Sequence, residues 1–284
     1  MNDIDIKEKD SEIAILMATY NGEIYLNELL DSLKKQTFTK WKLYVQDDLS
    51  TDGTMACLEK AALLDKRIII LQNSTKKGAM LNFMDLLRRV SAPYYMFCDH
   101  DDVWLPNKIE VTLKKMKEEV ECHPSQPIIV HTDLKVVDSR LNEICSSFWE
   151  MSRIRPDLLK TFNAIAGRYL TTGCTMMIND AAKKISFPVS SKALMHDSWI
   201  TCCVLKNKGR VAEVAQPTIL YRQHGGNVVG ARDSRHHYLI NKIKSLRSVY
   251  RENKKYYQML KVLEYGNFLK FLYYKTRYFV LYKK

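Results

Sequence analysis

Three carboxylates close an apolar run: Tyr95-Met96-Phe97-Cys98 leads directly into Asp99-His100-Asp101-Asp102, followed by Val103-Trp104. Clustered acids at the end of a buried strand can hold a hard divalent cation and, through it, a phosphate. An Asp-x-Asp triplet also arises by chance, as Asp3-Ile4-Asp5 illustrates, so its surroundings must decide its meaning. Two further polar stops lie upstream, Thr19-Tyr20-Asn21-Gly22 and Gln46-Asp47-Asp48, with turn-forming Leu49-Ser50-Thr51-Asp52-Gly53-Thr54 behind the second. Each could be a plain turn. Downstream stand Asp197, in Met195-His196-Asp197-Ser198-Trp199, and His224, in Tyr221-Arg222-Gln223-His224-Gly225-Gly226-Asn227. Taken alone, Ser198 could cap a helix and Asp197 complement its dipole, and a loop histidine is usually a surface residue.

The elements that position these residues follow from periodicity. Ile13 to Ala18, Trp41 to Val45, Ile68 to Leu71 and the run into Asp99 are short continuous apolar segments, the pattern of strands buried on both faces. Leu26, Leu29, Leu30 and Leu33 recur at helical spacing between the first two, and helical patterns follow the others to about Leu64, from Leu81, and over 105–121 with Pro106 in the first turn. Four strand–helix alternations predict a parallel sheet in the Rossmann manner. Three of those strands end in polar loops on the sheet edge where open α/β sheets bind ligands. The chain has neither Gly-x-Gly-x-x-Gly after the first strand nor Gly-x-x-x-x-Gly-Lys-Ser/Thr, which argues against dinucleotide and P-loop folds. Without such glycines a diphosphate needs another counter-charge, which a metal on Asp99 and Asp101 would supply.

The second half predicts strands at Ile128–Asp133, Leu134–Val137, around Tyr169–Ile178, Val211–Val214 and Thr218–Leu220, with an irregular, mobile stretch over Cys145–Arg155. Gly173 within its strand permits close approach of a ligand or backbone. Seven scattered cysteines without a Cys-x-x-Cys pair fit a reducing compartment and neither zinc nor a disulfide frame. The N-terminus lacks the features of a signal peptide, and no apolar run approaches a membrane span. These features lead us to expect a cytoplasmic protein.

Residues 235–284 hold 13 Lys/Arg against 2 Asp/Glu, a net of +11 of the chain's +12. Ten aromatics fall in the last 30 residues, interleaved with the basic ones. Such a segment fits contact with an anionic membrane surface. It equally fits packing on the preceding domain or a dimer contact. Nucleic-acid binding, the rival from another class, lacks a supporting motif in the body of the chain.

Taken in order, Thr19-Tyr20-Asn21-Gly22, Gln46 to Thr54, Asp99 to Trp104, Thr172-Gly173-Cys174, His196 to Trp199 and Tyr221 to Gly230 resemble glycosyltransferase family 2, and within it the rhamnosyltransferase-like bacterial branch. The resemblance covers about residues 12–230. It implies an inverting GT-A fold, α/β with a mostly parallel sheet flanked by helices, over residues 1–234. A nucleotide-binding half would span 12–133 and an acceptor half 134–234, with a helical extension at 235–284. It further implies that Thr19, Tyr20 and Asn21 line the base and ribose of a dTDP- or UDP-linked sugar, with Asp48 accepting from the pyrimidine ring. Lys77 would touch base or phosphate. Asp99 would face ribose and metal, Asp101 would ligate Mg²⁺ or Mn²⁺, His224 would reach the metal or diphosphate, and Asp197 would be the catalytic base. Asp102, Trp104, Gly173 and His196 are the acceptor-side candidates. The sequence departs from the usual pattern at His100, Leu49 and Ser198. The expected activity is transfer of a sugar, such as rhamnose, to a saccharide or lipid-linked saccharide for a bacterial surface polysaccharide, on the inner face of the membrane. The alternative is a non-catalytic GT-A scaffold that binds nucleotide-sugars.

Overall fold

The computed structural model of the chain describes residues 11–158, 160–167, 171–224 and 242–281. Strands β1 (Ile13–Thr19), β2 (Trp41–Asp47), β3 (Ile68–Ile70) and β4 (Tyr94–Asp99) are parallel and lie in the order β3-β2-β1-β4. In register, Ala18 pairs with both Gln46 and Asp99, so the polar ends of three strands finish on one edge. Alternate β1 residues serve opposite faces. Ala14, Leu16 and Ala18 join one core with α3 (Ala79–Arg89), while Ile13, Ile15 and Met17 join another with α1 (Glu23–Lys34) and α2 (Thr54–Leu64). Two-sided burial is why the run shows no polar alternation.

The sheet then extends beyond β4 with strands of mixed direction. Strand β5 (Val103–Trp104) precedes α4 (Lys108–Cys122), β6 (Ile128–Val137), β7 (Glu143–Cys145) and α5 (Phe148–Met151). After them come β8 (Met176–Asn179), α6 (Asp180–Ile185), α7 (His196–Lys206) and β9 (Arg210–Arg222). Strand β8 inserts antiparallel between β4 and β6, β6 pairs parallel with β9, and β9 pairs antiparallel with β5.

Several local expectations are revised. The two pairs of strands expected at 128–137 and 211–220 are the single strands β6 and β9, joined through register shifts around Asp133 opposite Pro217. A proline has no N–H to give the ladder, which places the irregularity there. Pro106 precedes α4, because Lys108 N–H first closes a turn on the Leu105 carbonyl. The stretch from Cys145 is not irregular throughout: Ser147 caps α5 by accepting the Glu150 N–H. Around Gly173 the chain forms a 3-10 turn (Gly173–Thr175) leading into β8. Asp3, Asp5, Tyr169, Leu170, Gly225–Gly230 and residues 235–241 lie outside the described residues.

Helices α8 (Lys242–Val262) and α9 (Phe268–Leu281) pack back onto the domain. Met259, Leu260, Tyr265 and Phe271 are fully buried in the core that holds Trp199 and Ile200 of α7. The Tyr256 and Tyr265 hydroxyls donate to the carbonyls of Ile165 (3.1 Å) and Asn163 (2.9 Å). Leu269, Leu272, Tyr273 and Val280 remain exposed on the outer side of α9. Among the described residues no helix is long and apolar enough to cross a membrane.

Candidate active site

The loop after β1 and the loop after β2 are stitched into one surface. Asp47 accepts from the Thr19 hydroxyl (2.9 Å) and from both the amide (2.7 Å) and hydroxyl (2.6 Å) of Ser50. Asn21 N–H donates to Ser50 Oγ (2.8 Å), and Asn21 Oδ1 accepts from Thr51 N–H (2.9 Å). Asn21 and Leu49 adopt positive φ of 48° and 61°, the left-handed region that asparagine tolerates best. This closure leaves Tyr20 half outside, 41% exposed, with Lys76 Nζ 3.6 Å above its ring. Asp48 accepts from the backbone N–H groups of Lys77 (2.7 Å) and Gly78 (2.9 Å). Burial alone would raise its pKa, but these N–H groups and the Asn82 amide together hold the carboxyl below the usual range.

The acid loop is pinned from behind by Arg222. Its Nε donates to the Asp101 carbonyl (2.8 Å), its backbone N–H to Asp102 Oδ1 (3.2 Å), Nη1 to the Ser139 carbonyl (2.7 Å), and Nη2 to the Glu28 carboxylate. Asp101 and His224 Nε2 are 2.9 Å apart, and the His224 ring lies 4.8 Å from Tyr25. Asp99 is pushed up to about 7, chiefly by burial and then by the charges of Asp101 and Asp197. Asp102 is fully buried and pushed well above the carboxylate range, first by burial. Its neighbours include the Cys174 thiol, which with Asp99 and Asp102 forms a group whose ligand atoms lie within 4.8 Å of one another. Gly22 must lack a side chain: a Cβ there would stand 2.2 Å from the His100 ring.

Asp197 sits in the first turn of α7. Its Oδ2 accepts the Gly173 N–H (3.1 Å) and its Oδ1 the Ser198 N–H (2.6 Å). Ser198 caps the helix reciprocally, its Oγ accepting the Met195 N–H (3.2 Å). His196 is 3% exposed, its ring 4.1 Å from Phe83 and 4.8 Å from Phe97, and burial lowers its pKa against the opposing charge of Asp197. A Cβ on Gly173 would stand 2.5 Å from His196 Nε2, so the glycine is what lets the two segments meet.

These walls enclose one cavity of about 1100 Å³. Thr19, Tyr20, Asn21, Asp48, Asp99, Asp101, Gly173, His196, Asp197 and His224 all line it. Three expected residues do not. Asp102 faces inward to Arg222 and Cys174, and Trp104, 2% exposed, is a β5 residue packed in the core beside α4. Neither lines the cavity. The Lys77 side chain turns away to pair with Asp85 (2.9 Å), and Lys76 is the lysine at the cavity. Sequence reasoning also missed Glu252, Asn253, Tyr256 and Lys275, which α8 and α9 bring to the far wall. Only the proximity of Lys76 to the expected loop carried a signal in sequence.

Comparison with known proteins agrees with this geometry. The chain is 30% identical over 233 residues to the dTDP-rhamnosyl transferase RfbG of Shigella flexneri, covering 77% of this chain and 75% of that protein. It is 35% identical over 107 residues to the Escherichia coli glucosyltransferase WfgD, covering 38% of this chain and 42% of that protein. The fold matches S. aureus TarS 1–349, solved with UDP-GlcNAc, at a TM-score of 0.55 and 23% identity, over 76% of this chain and 60% of that one. It also matches the Pyrobaculum calidifontis mannosyltransferase PcManGT, solved with GDP-Man and Mn²⁺, at a TM-score of 0.56 and 15% identity, over 76% of this chain and 58% of that one. Residues 14–186 match the profile of Glycosyl transferase family 2, and with the GT-A sheet and its cavity this shows that the chain is an enzyme belonging to glycosyltransferase family 2.

Proposed function

We propose that the enzyme moves a hexose from a nucleoside diphosphate donor to a saccharide acceptor with inversion, in the synthesis of a bacterial surface polysaccharide. The observation that carries this reading is that Asp99, Asp101 and Asp197 line one cavity close enough for their charges to act on one another. The name of RfbG favours dTDP-rhamnose as donor. The name of WfgD, a UDP-Glc glucosyltransferase acting on α-D-GlcNAc-diphosphoundecaprenol, favours a UDP-hexose and a lipid-linked acceptor as the second reading.

On the donor side, Tyr20 and Lys76 offer a ring and a cation for the base, beside the Asp48 carboxylate that lines the same cavity. The crowding of Asp99, Asp101 and Asp197, which raises Asp99, fits a site for a divalent cation. Asp99, Asp101 and His224 would hold Mg²⁺ or Mn²⁺, an oxygen and imidazole set suited to either. Bound there, the ion would supply Lewis-acid stabilisation of the departing diphosphate. Asp197 takes the acceptor hydroxyl proton as the acceptor oxygen bonds to the anomeric carbon. The bond from that carbon to the β-phosphate oxygen breaks, and the nucleoside diphosphate leaves with the electron pair. One displacement inverts the anomeric centre, so no covalent nucleophile is needed.

The exposed α9 face, with Lys270 and Arg277 beside it, supports a peripheral membrane contact that would suit a lipid-linked acceptor. Purified enzyme given Mn²⁺ and a panel of nucleotide-sugars should release nucleoside diphosphate from one of them, faster when a saccharide acceptor is added. No release from any donor, with the protein folded, would overturn transfer.

A further inference from the structure

Helices α8 and α9 supply part of the cavity wall, and among the described residues that part carries one cation. Lys275 lines the cavity, as do Gly167, Thr172 and Tyr256. Its position is set from both sides along α9. Phe271, one turn before, is fully buried, and Lys275 Nζ lies 5.7 Å from its ring. One turn after, Tyr278 rests on the backbone of Gly167 so closely that a Cβ there would stand 2.2 Å from the tyrosine Cβ. Tyr256 extends the same wall toward the base: its phenol is pushed upward by burial, then by Cys202, and also by the charge of Asp197.

Elsewhere in the domain Lys160 pairs with Glu213 and Lys206 with Glu264. Lys275 makes no ion pair or hydrogen bond among the described residues, and Glu252 on the same wall does not reach it. Burial lowers its pKa, the mark of a charge that has lost water without gaining an anion. Such an ammonium gains more from an anion than an exposed one would, because screening is weaker in a partly enclosed site.

We infer that Lys275 binds an anionic group of the acceptor, a phosphate or carboxylate on the sugar that presents its hydroxyl to Asp197, and so selects charged acceptors over neutral ones. The inference rests on the transfer reaction proposed above. In that reading the donor's diphosphate lies with Asp99, Asp101 and His224 and its base with Tyr20 and Lys76, which leaves Lys275 to the acceptor.

The test uses the full chain and K275M, which keeps the stem and removes the charge, with K275R as the conservative variant. Three acceptors are compared: a pyranose 1-diphosphate carrying a short prenyl chain, the same pyranose as its neutral methyl glycoside, and its 6-carboxylate. K275M should raise KM for a charged acceptor at least about tenfold, with donor KM and donor hydrolysis unchanged, and K275R should restore most of the loss. The neutral glycoside should respond less than about twofold. Whichever charged acceptor shows the effect identifies the anion. An equal loss on charged and neutral acceptors, or a rise in donor KM, overturns the inference. Calorimetric titration of the prenyl diphosphate sugar into wild type and K275M, without donor, gives a reading independent of turnover. Equal affinities of the two proteins for it and for the 6-carboxylate also overturn the inference, whereas a wild type that consumes no donor bears on the transfer reaction alone.

Discussion

The Asp197 carboxylate and the Gly173 amide meet at 3.1 Å, Oδ2 accepting the N–H, while Oδ1 accepts the Ser198 N–H at 2.6 Å. The two bonds fix the plane of the carboxylate in the first turn of α7 and leave each oxygen a further lone pair toward the cavity. That arrangement separates a catalytic role from a purely structural one. Asp197→Asn keeps one acceptor oxygen, enough for Gly173 or Ser198 but not both, and cannot take a proton. Turnover should fall at least about a hundredfold while nucleotide-sugar affinity stays nearly unchanged. Isothermal titration beside a coupled transfer assay reads both, and a parallel loss of binding and turnover would make Asp197 structural.

Chelation tests the acid side. EDTA should abolish transfer, and Mn²⁺ or Mg²⁺ should restore it. His224→Ala removes a side chain held between Tyr25 and Asp101. The metal concentration for half-maximal activity should then rise at least roughly tenfold. Full activity in chelator would remove the metal from Asp101 and His224 alike.

The local part of this site was legible in the sequence and the non-local part was not. Thr19 to Asn21, Asp48, Asp99 and Asp101 could be brought to one cavity from sequence because each stands at the end of its own apolar run, and parallel strands finish on one edge. Asp102 and Trp104 are buried away from the cavity because the chain enters β5 straight after the triplet, and that strand pairs with Ile219 and Leu220, far along the chain. No local pattern announces such a partner. The basic aromatic segment was ambiguous for a related reason. A helix that buries Phe271 in a core and exposes Leu269 and Tyr273 has the same amphipathic pattern as one resting on a membrane.

Adjacent lysines give a contrast that the sequence could not. Lys76 stands over Tyr20 at the cavity, while Lys77 is turned into the Asp85 cluster. Lys76→Ala should raise donor KM about fivefold, equivalent to ~1 kcal/mol of cation–π and packing contact. Lys77→Ala should leave donor KM unchanged, since its N–H still serves Asp48, and lower stability by up to ~1 kcal/mol through the lost ion pair. Steady-state kinetics and urea unfolding of the two variants distinguish them, and the reverse pattern would move the nucleotide contact to Lys77.

His131 sets an acid limit on stability that is separate from the site. It lies in β6, fully buried, with neither ring nitrogen hydrogen-bonded among the described residues and with Trp149 against its ring at 5.3 Å. Burial, followed by the charge of Lys160, depresses its pKa from 6.5 to about 3. A folded pKa below the unfolded one means that the unfolded chain binds the extra proton between those values. The neutral ring therefore costs nothing above pH 6.5, and stability is lost as pH falls from there toward 3. One site of this kind removes about 2 kcal/mol between pH 7 and pH 5. His131→Leu, which keeps an apolar side chain of similar size, should lack that increment. Urea unfolding of both proteins at pH 7 and pH 5 measures it as a difference of differences, in which carboxylates common to both cancel. An equal loss of stability in wild type and variant would show that His131 takes up no proton on unfolding in that range.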